Sequence, residues 1–243
     1  MFQPKATVKE KPTNALITIQ CPCKVEDEEK NLLNLFKYSK TKIVSIDPGS
    51  KNYAIRISER NNRTGSMKSL YYSRWMLEDN IKNDRKIEID RTFTSLYKLL
   101  NNIKDLIIKT DLMIIERQLP INYNSTRIMQ DTISYFNNIY SGNETGRYPT
   151  IVIVAPQLKG KMLGAPKGLP KAELKKWSVD VAYDFLEMDN DLWAINILNS
   201  EKKKDDLADV VTQLEAFIIY FEIDKISTDI PVKIKIIVKK LNG

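Results

Sequence analysis

Asp47 and Glu116 each close a short apolar run, Lys42-Ile-Val-Ser-Ile-Asp47 and Asp111-Leu-Met-Ile-Ile-Glu116. Asp205, Asp206 and Asp209 open a late amphipathic stretch. Neighbouring strands that end in acids bring those acids to one edge of a sheet, and a helix packed beside that edge can add its own. Carboxylates gathered against apolar walls repel one another and lose hydration, and a divalent cation relieves both costs. Oxygen-only donors select Mg²⁺ or Mn²⁺ over zinc. A pair of such ions activates water and stabilises the leaving oxygen of a phosphodiester. Each acid also has an ordinary explanation: a strand-end acid is commonly a solvated loop residue, and Asp205 or Asp206 can cap a helix and complement its dipole. Helix geometry admits 205/209 and 206/209 equally, because both spacings put two carboxylates on one face.

The rest of the composition narrows the chemistry. The chain has 243 residues, with a net charge of +7 and no histidine. The absence of histidine excludes Ser-His-Asp and Cys-His nucleophilic systems and all His-ligated metal sites. The two cysteines, Cys21 and Cys23, form one C-x-C with no second pair to complete a zinc site, and read as reduced thiols of an intracellular protein. The basic surplus favours an anionic partner, nucleic acid first. No apolar run reaches the roughly 18–20 residues of a membrane span, and no secretory signal is legible at the N-terminus.

The elements that must position the acids follow from periodicity. Runs at 42–47, 53–58 and 67–77 read as three strands, the last two joined by the turn Asn61-Asn-Arg-Thr-Gly65. Helical spacing marks 86–109, about 124–140, 171–188 and 205–221, and the runs 111–116 and 150–154 read as buried strands. Gly160 to Pro170 reads as a Lys/Gly/Pro-rich loop. Three meandering strands followed by βαβ-type crossovers predict an α/β protein with a mixed five-stranded sheet, three antiparallel strands plus parallel ones, and helices on both faces. Residues 1–40 read as a loosely ordered arm with room for one short element, 41–224 as the main domain and 225–243 as a basic tail with edge-strand alternation.

Asp47-Pro-Gly-Ser-Lys-Asn52, Ile114-Ile-Glu-Arg-Gln118 and Lys203-Lys-Asp-Asp-Leu-Ala-Asp209 together, in this order, resemble the three motifs of RuvC-like Holliday junction resolvases. The likeness is nearest to the poxvirus-type branch, with the fungal mitochondrial branch a near second. It implies an RNase H-like fold and a structure-specific endonuclease that resolves four-way DNA junctions. It implies Asp47, Glu116, Asp206 and Asp209 as catalytic ligands of two Mg²⁺ ions, with Mn²⁺ as substitute. It also implies a homodimer, because two opposed cuts need two symmetric sites. No membrane partner and no small-molecule substrate are expected. The expected location is intracellular, at a cytoplasmic site of viral DNA replication or else in a mitochondrion.

Cations and polar groups beside the acids are the expected DNA contacts: Lys51, Arg117, Gln118, Lys202, Lys203 and Lys204. An ordinary solvated charged face is the competing explanation for Lys202–Lys204. Tyr123, between two asparagines, is the aromatic expected to stack on unpaired bases, whereas Tyr53 and Phe136 read as core. The rival functions are an RNase H-type or flap nuclease of the same superfamily and a non-catalytic junction-binding protein.

Overall fold

A computed structural model of the chain describes residues 16–20, 28–77, 85–141 and 148–225. Its strands are β1 (Ile17–Gln20), β2 (Lys40–Pro48), β3 (Tyr53–Asn61), β4 (Met67–Trp75), β5 (Leu112–Glu116) and β6 (Thr150–Val154). Its helices are α1 (Glu28–Leu35), α2 (Arg85–Asn102), α3 (Lys104–Ile107), α4 (Tyr123–Ser141), α5 (Gln157–Leu163), α6 (Lys171–Met188), α7 (Leu192–Ser200) and α8 (Lys204–Tyr220). One six-stranded sheet runs in the order β1-β6-β5-β2-β3-β4. The β2–β3 and β3–β4 pairs are antiparallel, as is β1–β6; β2–β5 and β5–β6 are parallel.

The sixth strand corrects the five-strand expectation. Ile17 and Ile19 of β1 lie against Val154 and Val152 of β6. Residues 17–20 and 28–35, both inside the stretch expected to be a loose arm, are thus a sheet edge and a helix. The tail expected as an edge strand lies outside the described residues. So does Ile89 as a core side chain, since only the backbone is described there.

Period-two alternation divides the core between the two faces of the sheet. Ile43, Ala54, Leu112, Ile114, Val152 and Val154 face α8 and its neighbours, while Val44, Ile46, Ile55, Met113, Ile115 and Ile151 face α2 and α4. The same parity decides the acids. Asp47 continues the series of Ile43 and Ser45, and Glu116 continues Leu112 and Ile114, so both project on the α8 side.

Helix α8 differs from its expected one-sided stripe. Leu207, Val211, Leu214 and Ile218 are buried, but so are Ala208, Val210, Ala216 and Phe217. The reason is its central place, against β2 and β3 on one side and α5 and α6 on the other. A second difference lies at 160–163, the start of the stretch 160–170 expected as loop, which belongs to α5, the helix ending in the left-handed Gly164 (φ 74°). No helix among the described residues is long and apolar enough to cross a membrane.

Candidate functional site

The strands β2, β5 and β6 run parallel, so their C-terminal ends share one edge of the sheet. Ile46 pairs with Ile115, and Glu116 with Val154. That register sets Asp47 beside Glu116, and the chain leaving β6 beside both. Gly49 makes the turn after Asp47 possible: a Cβ there would meet the carbonyl oxygen of Asn52 at 2.9 Å. The Gly49 N–H donates to the Asp47 carbonyl at 3.1 Å.

Helix α8 brings the other acids. Asp206, Asp209 and Gln213 fall at i, i+3 and i+7, one face of the helix. The buried Gln213 amide donates to Ser45 Oγ at 3.1 Å, to the Ile46 carbonyl at 3.3 Å and to the Ile114 carbonyl at 3.4 Å. It therefore ties α8 to β2 and β5 at the residues immediately before Asp47 and two before Glu116. This fixes how far Asp209, one turn earlier, sits from the two strand ends.

At the centre is Lys159, from α5. Its ammonium lies 2.8 Å from Glu116 Oε2 and 3.1 Å from Asp209 Oδ1. Asp209 Oδ1 also accepts a hydrogen bond from Ser178 Oγ at 2.9 Å. Burial alone would depress the Lys159 pKa, but Glu116, Asp209 and Asp47 outweigh it and hold the group protonated well above the ordinary lysine range. Asp47 moves the same way for the opposite reason. Burial raises its carboxyl well above the usual range, and the charges of Glu116, Asp209 and Asp206 add to this against the opposing Lys159. One ammonium thus faces more carboxylate charge than it neutralises.

Asp206 stands slightly apart. Burial pushes its pKa up to about 6, with Asp205 contributing and Lys175, Lys203 and Arg74 opposing. Its Oδ2 is buried with no hydrogen-bond partner among the described residues. Asp205 instead pairs with Lys175. The two acids thus differ in their surroundings: Asp205 has its own cation, and Asp206 presents an oxygen without a partner among the described residues.

The donors fit a hard divalent cation by chemistry and charge. They are all oxygens, they carry surplus negative charge, and one buried oxygen lacks a partner. Among the described residues no three acids stand ready-made as a metal cage. The Lys159 ammonium sits on the oxygens that Glu116 and Asp209 would offer.

The expected DNA contacts divide. Lys51, Lys202 and Lys203 are exposed at the rim, and Lys203 Nζ donates to Asn52 Oδ1 at 3.3 Å. Asn52 also accepts from Arg74 at 3.0 Å, and Arg74 pairs with Glu201 at 2.9 Å. Arg117 donates to Thr18 Oγ1 of β1 at 2.8 Å, and Gln118 is half-buried beside it. Lys204 is turned onto Tyr183, donating to its hydroxyl at 3.1 Å. Tyr123 is 63% exposed at the start of α4, just after the turn that carries the exposed Leu119 and Ile121, and Arg127 lies 5.6 Å from its ring. Tyr53 and Phe136 are core, as expected.

Lys159, Ser178 and Gln213 are the members of the site that sequence reasoning missed. The signal for Lys159 was its place just past Pro156, where a strand parallel to the two acid-bearing ones ends. Gln213 was legible as a polar residue within a strongly apolar helix.

No family model matches the chain. Among curated proteins it is similar to Uncharacterized protein 97L of invertebrate iridescent virus 3, 26% identical over 122 residues. That match covers 50% of this chain and 55% of the relative. Three solved structures it resembles are Holliday junction resolvases. The yeast mitochondrial enzyme has a TM-score of 0.56 at 12% identity, over 82% of this chain and 89% of that one. The fowlpox virus enzyme has 0.47 at 21%, over 75% and 99%, and Thermus thermophilus RuvC 0.45 at 11%, over 73% and 95%. The likeness to the yeast enzyme establishes the shared fold, so the chain has the RNase H-like architecture expected, with a sixth strand.

Proposed function

We propose that this chain is a metal-dependent endonuclease that resolves four-way DNA junctions. The observation that carries this reading is the gathering of Asp47, Glu116 and Asp209 around one lysine, with Asp206 on the same helix face and one of its oxygens unsatisfied. A merely structural cluster has no reason to keep more acids than it can pair. The motif order along the chain and the fold shared with the yeast resolvase point the same way.

In this reading Asp47, Glu116, Asp206 and Asp209 hold two divalent ions, Mg²⁺ with Mn²⁺ as substitute. Ions in such an oxygen-only site activate water for attack on a phosphodiester and stabilise the leaving oxygen. The chain's own groups do the remainder. The Lys159 ammonium holds Glu116 and Asp209 against their mutual repulsion and competes for the oxygens an ion would take. Lys51, Lys202 and Lys203 at the rim take backbone phosphates, Arg117 and Gln118 follow the Glu116 strand end, and Lys204 contributes positive charge near the start of α8. Tyr123 offers an exposed ring to unpaired bases.

The enzyme acts as a homodimer on branched DNA, because two symmetric sites supply two opposed cuts. The iridescent-virus relative favours a site of viral DNA replication over a mitochondrion as its setting. A panel of four substrates tests the function: a synthetic four-way junction, a flap, a linear duplex and an RNA–DNA hybrid, each with Mg²⁺ or with EDTA. Paired Mg²⁺-dependent cuts in the junction alone are expected. Preferential cleavage of the hybrid or flap would move the chain to the related nuclease class, and binding without cleavage of any substrate would make it a junction-binding protein.

A further inference from the structure

A cleft of about 940 Å³ opens directly off the acid cluster, between α5 with the chain that follows it and the first half of α6. Glu116, Lys159 and Asp209 close its inner end. Its lining is of two kinds. Leu169, Leu174 and Trp177 give apolar surface, and Lys161, Lys167 and Lys171 give positive charge. Lys159 and Lys175, which also line it, are each paired with an acid. Lys161, Lys167 and Lys171 are exposed and form no ion pair among the described residues. The Trp177 indole N–H is buried and has no hydrogen-bond acceptor among the described residues. At Gly168 (φ 78°) nothing lies within 4 Å of where a Cβ would be, so the outer lip is open.

We infer that this cleft is a subsite for one or two unpaired nucleotides of the DNA substrate, adjoining the phosphodiester to be cut. The inference rests on the nuclease reading above and names a part of the substrate that reading leaves open. Three features fix the occupant. The volume lies in the range of small-ligand pockets and cannot take a duplex. A nucleobase offers a flat apolar face to Leu174 and the Trp177 ring, and ring-edge acceptors for the unpartnered indole N–H. Its flanking phosphates match the three unpaired lysines. A junction's branch point is where bases leave the stack at least cost, because the strand exchange already breaks the continuous stacking of each duplex there.

The test uses the full chain and a four-way junction carrying 2-aminopurine either at a branch-point nucleotide or in the middle of an arm, with EDTA present so that no strand is cut. The wild-type protein changes the emission of the branch-point probe and leaves the arm probe unchanged. Trp177→Ala abolishes that change and weakens junction binding by about tenfold, whereas Trp177→Phe, which keeps a ring, retains the change. The double reversal Lys161→Glu/Lys167→Glu, at two exposed positions, lowers the salt dependence of binding by about one to two phosphate contacts. This second variant stands on its own should Trp177→Ala fail to fold. An unchanged probe response in folded Trp177→Ala, or an unchanged salt slope in the reversal variant, overturns the subsite alone. Failure of the wild-type chain to bind the junction at all overturns the nuclease reading and the subsite with it.

Discussion

Two groups of charged side chains are withdrawn from water in this molecule, and they are built on opposite principles. Under β3 and β4, Arg56 is fully buried and faces Asp191 at 3.5 Å, and Arg60 faces Asp224 at 2.5 Å. Ser69 Oγ accepts from Arg56 at 2.8 Å, and Asp191 also caps α7 by accepting from the Ala194 N–H. Asp189 accepts from the Met67 N–H at 3.0 Å. Each arginine there has its counter-charge, so the group is balanced in charge, although Arg56 Nη1 and Arg60 Nε are buried without a hydrogen-bond partner among the described residues. At the carboxyl edge of the sheet, Asp47, Glu116 and Asp209 share Lys159, and Asp206 keeps a bare oxygen. The paired group holds strands to helices. The acid-rich group is held in place by its surroundings and remains short of positive charge, which is what a cation-binding site needs before its cation arrives.

The strongest way to break this contrast is to remove one acid. Asp47→Asn or Asp206→Asn is expected to lower junction cleavage by about 10³-fold or more while leaving junction binding intact, and Asp47→Asn is expected to raise the Tm of the metal-free protein. Retained cleavage, or a lowered Tm for Asp47→Asn, would put the acid cluster in the same class as the arginine group. The reverse experiment is Arg56→Met, which leaves Asp191 uncompensated and is expected to cost about 3–5 kcal/mol in denaturant unfolding. A neutral result would show that this pair carries no structural load.

Lys159→Met sharpens the comparison at the site itself. It removes the counter-charge of Glu116 and Asp209 and is expected to cost about 2 kcal/mol without metal, with much of the loss recovered on adding Mg²⁺ or Mn²⁺. A loss that metal does not repair would make Lys159 a structural strut only.

The smallest effect is on pH dependence. Asp206 has a folded pKa raised to about 6. Between its ordinary value and that one the native state therefore binds more protons than the unfolded state, and its contribution to stability falls as pH rises. Metal-free Tm should accordingly drop in the wild type from about pH 4 to 6 more than it does in Asp206→Asn. Identical profiles would show that the Asp206 environment does not oppose its ionisation.

Much of this contrast was legible in the sequence, though unevenly. The strands ending in Asp47 and Glu116 announce themselves because apolar β-branched runs ending in an acid are short and sharply bounded. Helix α6 was legible by its periodicity, and α8 by the stripe through Leu207, Val211, Leu214 and Ile218. The difference between Asp205 and Asp206 was not readable from spacing, since Asp205 is paired with Lys175, thirty residues away and brought near only by the packing of α6 on α8. Lys159 was hidden for a similar reason: a lysine among lysines and glycines gains meaning only once β6 is placed beside β5. Strand β1 is four residues long and half-exposed, too brief for alternation to distinguish it from a loop. The buried pair Arg56–Asp191 joins residues on β3 and at the start of α7, and no local pattern announces it.

The central claim is that the four carboxylates act together as a cation site, and calorimetric titration of the full chain with Mn²⁺ tests it most directly. Saturable binding by the wild type, lost in both Asp47→Asn and Asp206→Asn variants that remain folded, is the predicted result. Equal Mn²⁺ binding by all three proteins, or junction cleavage that persists in EDTA, would contradict it.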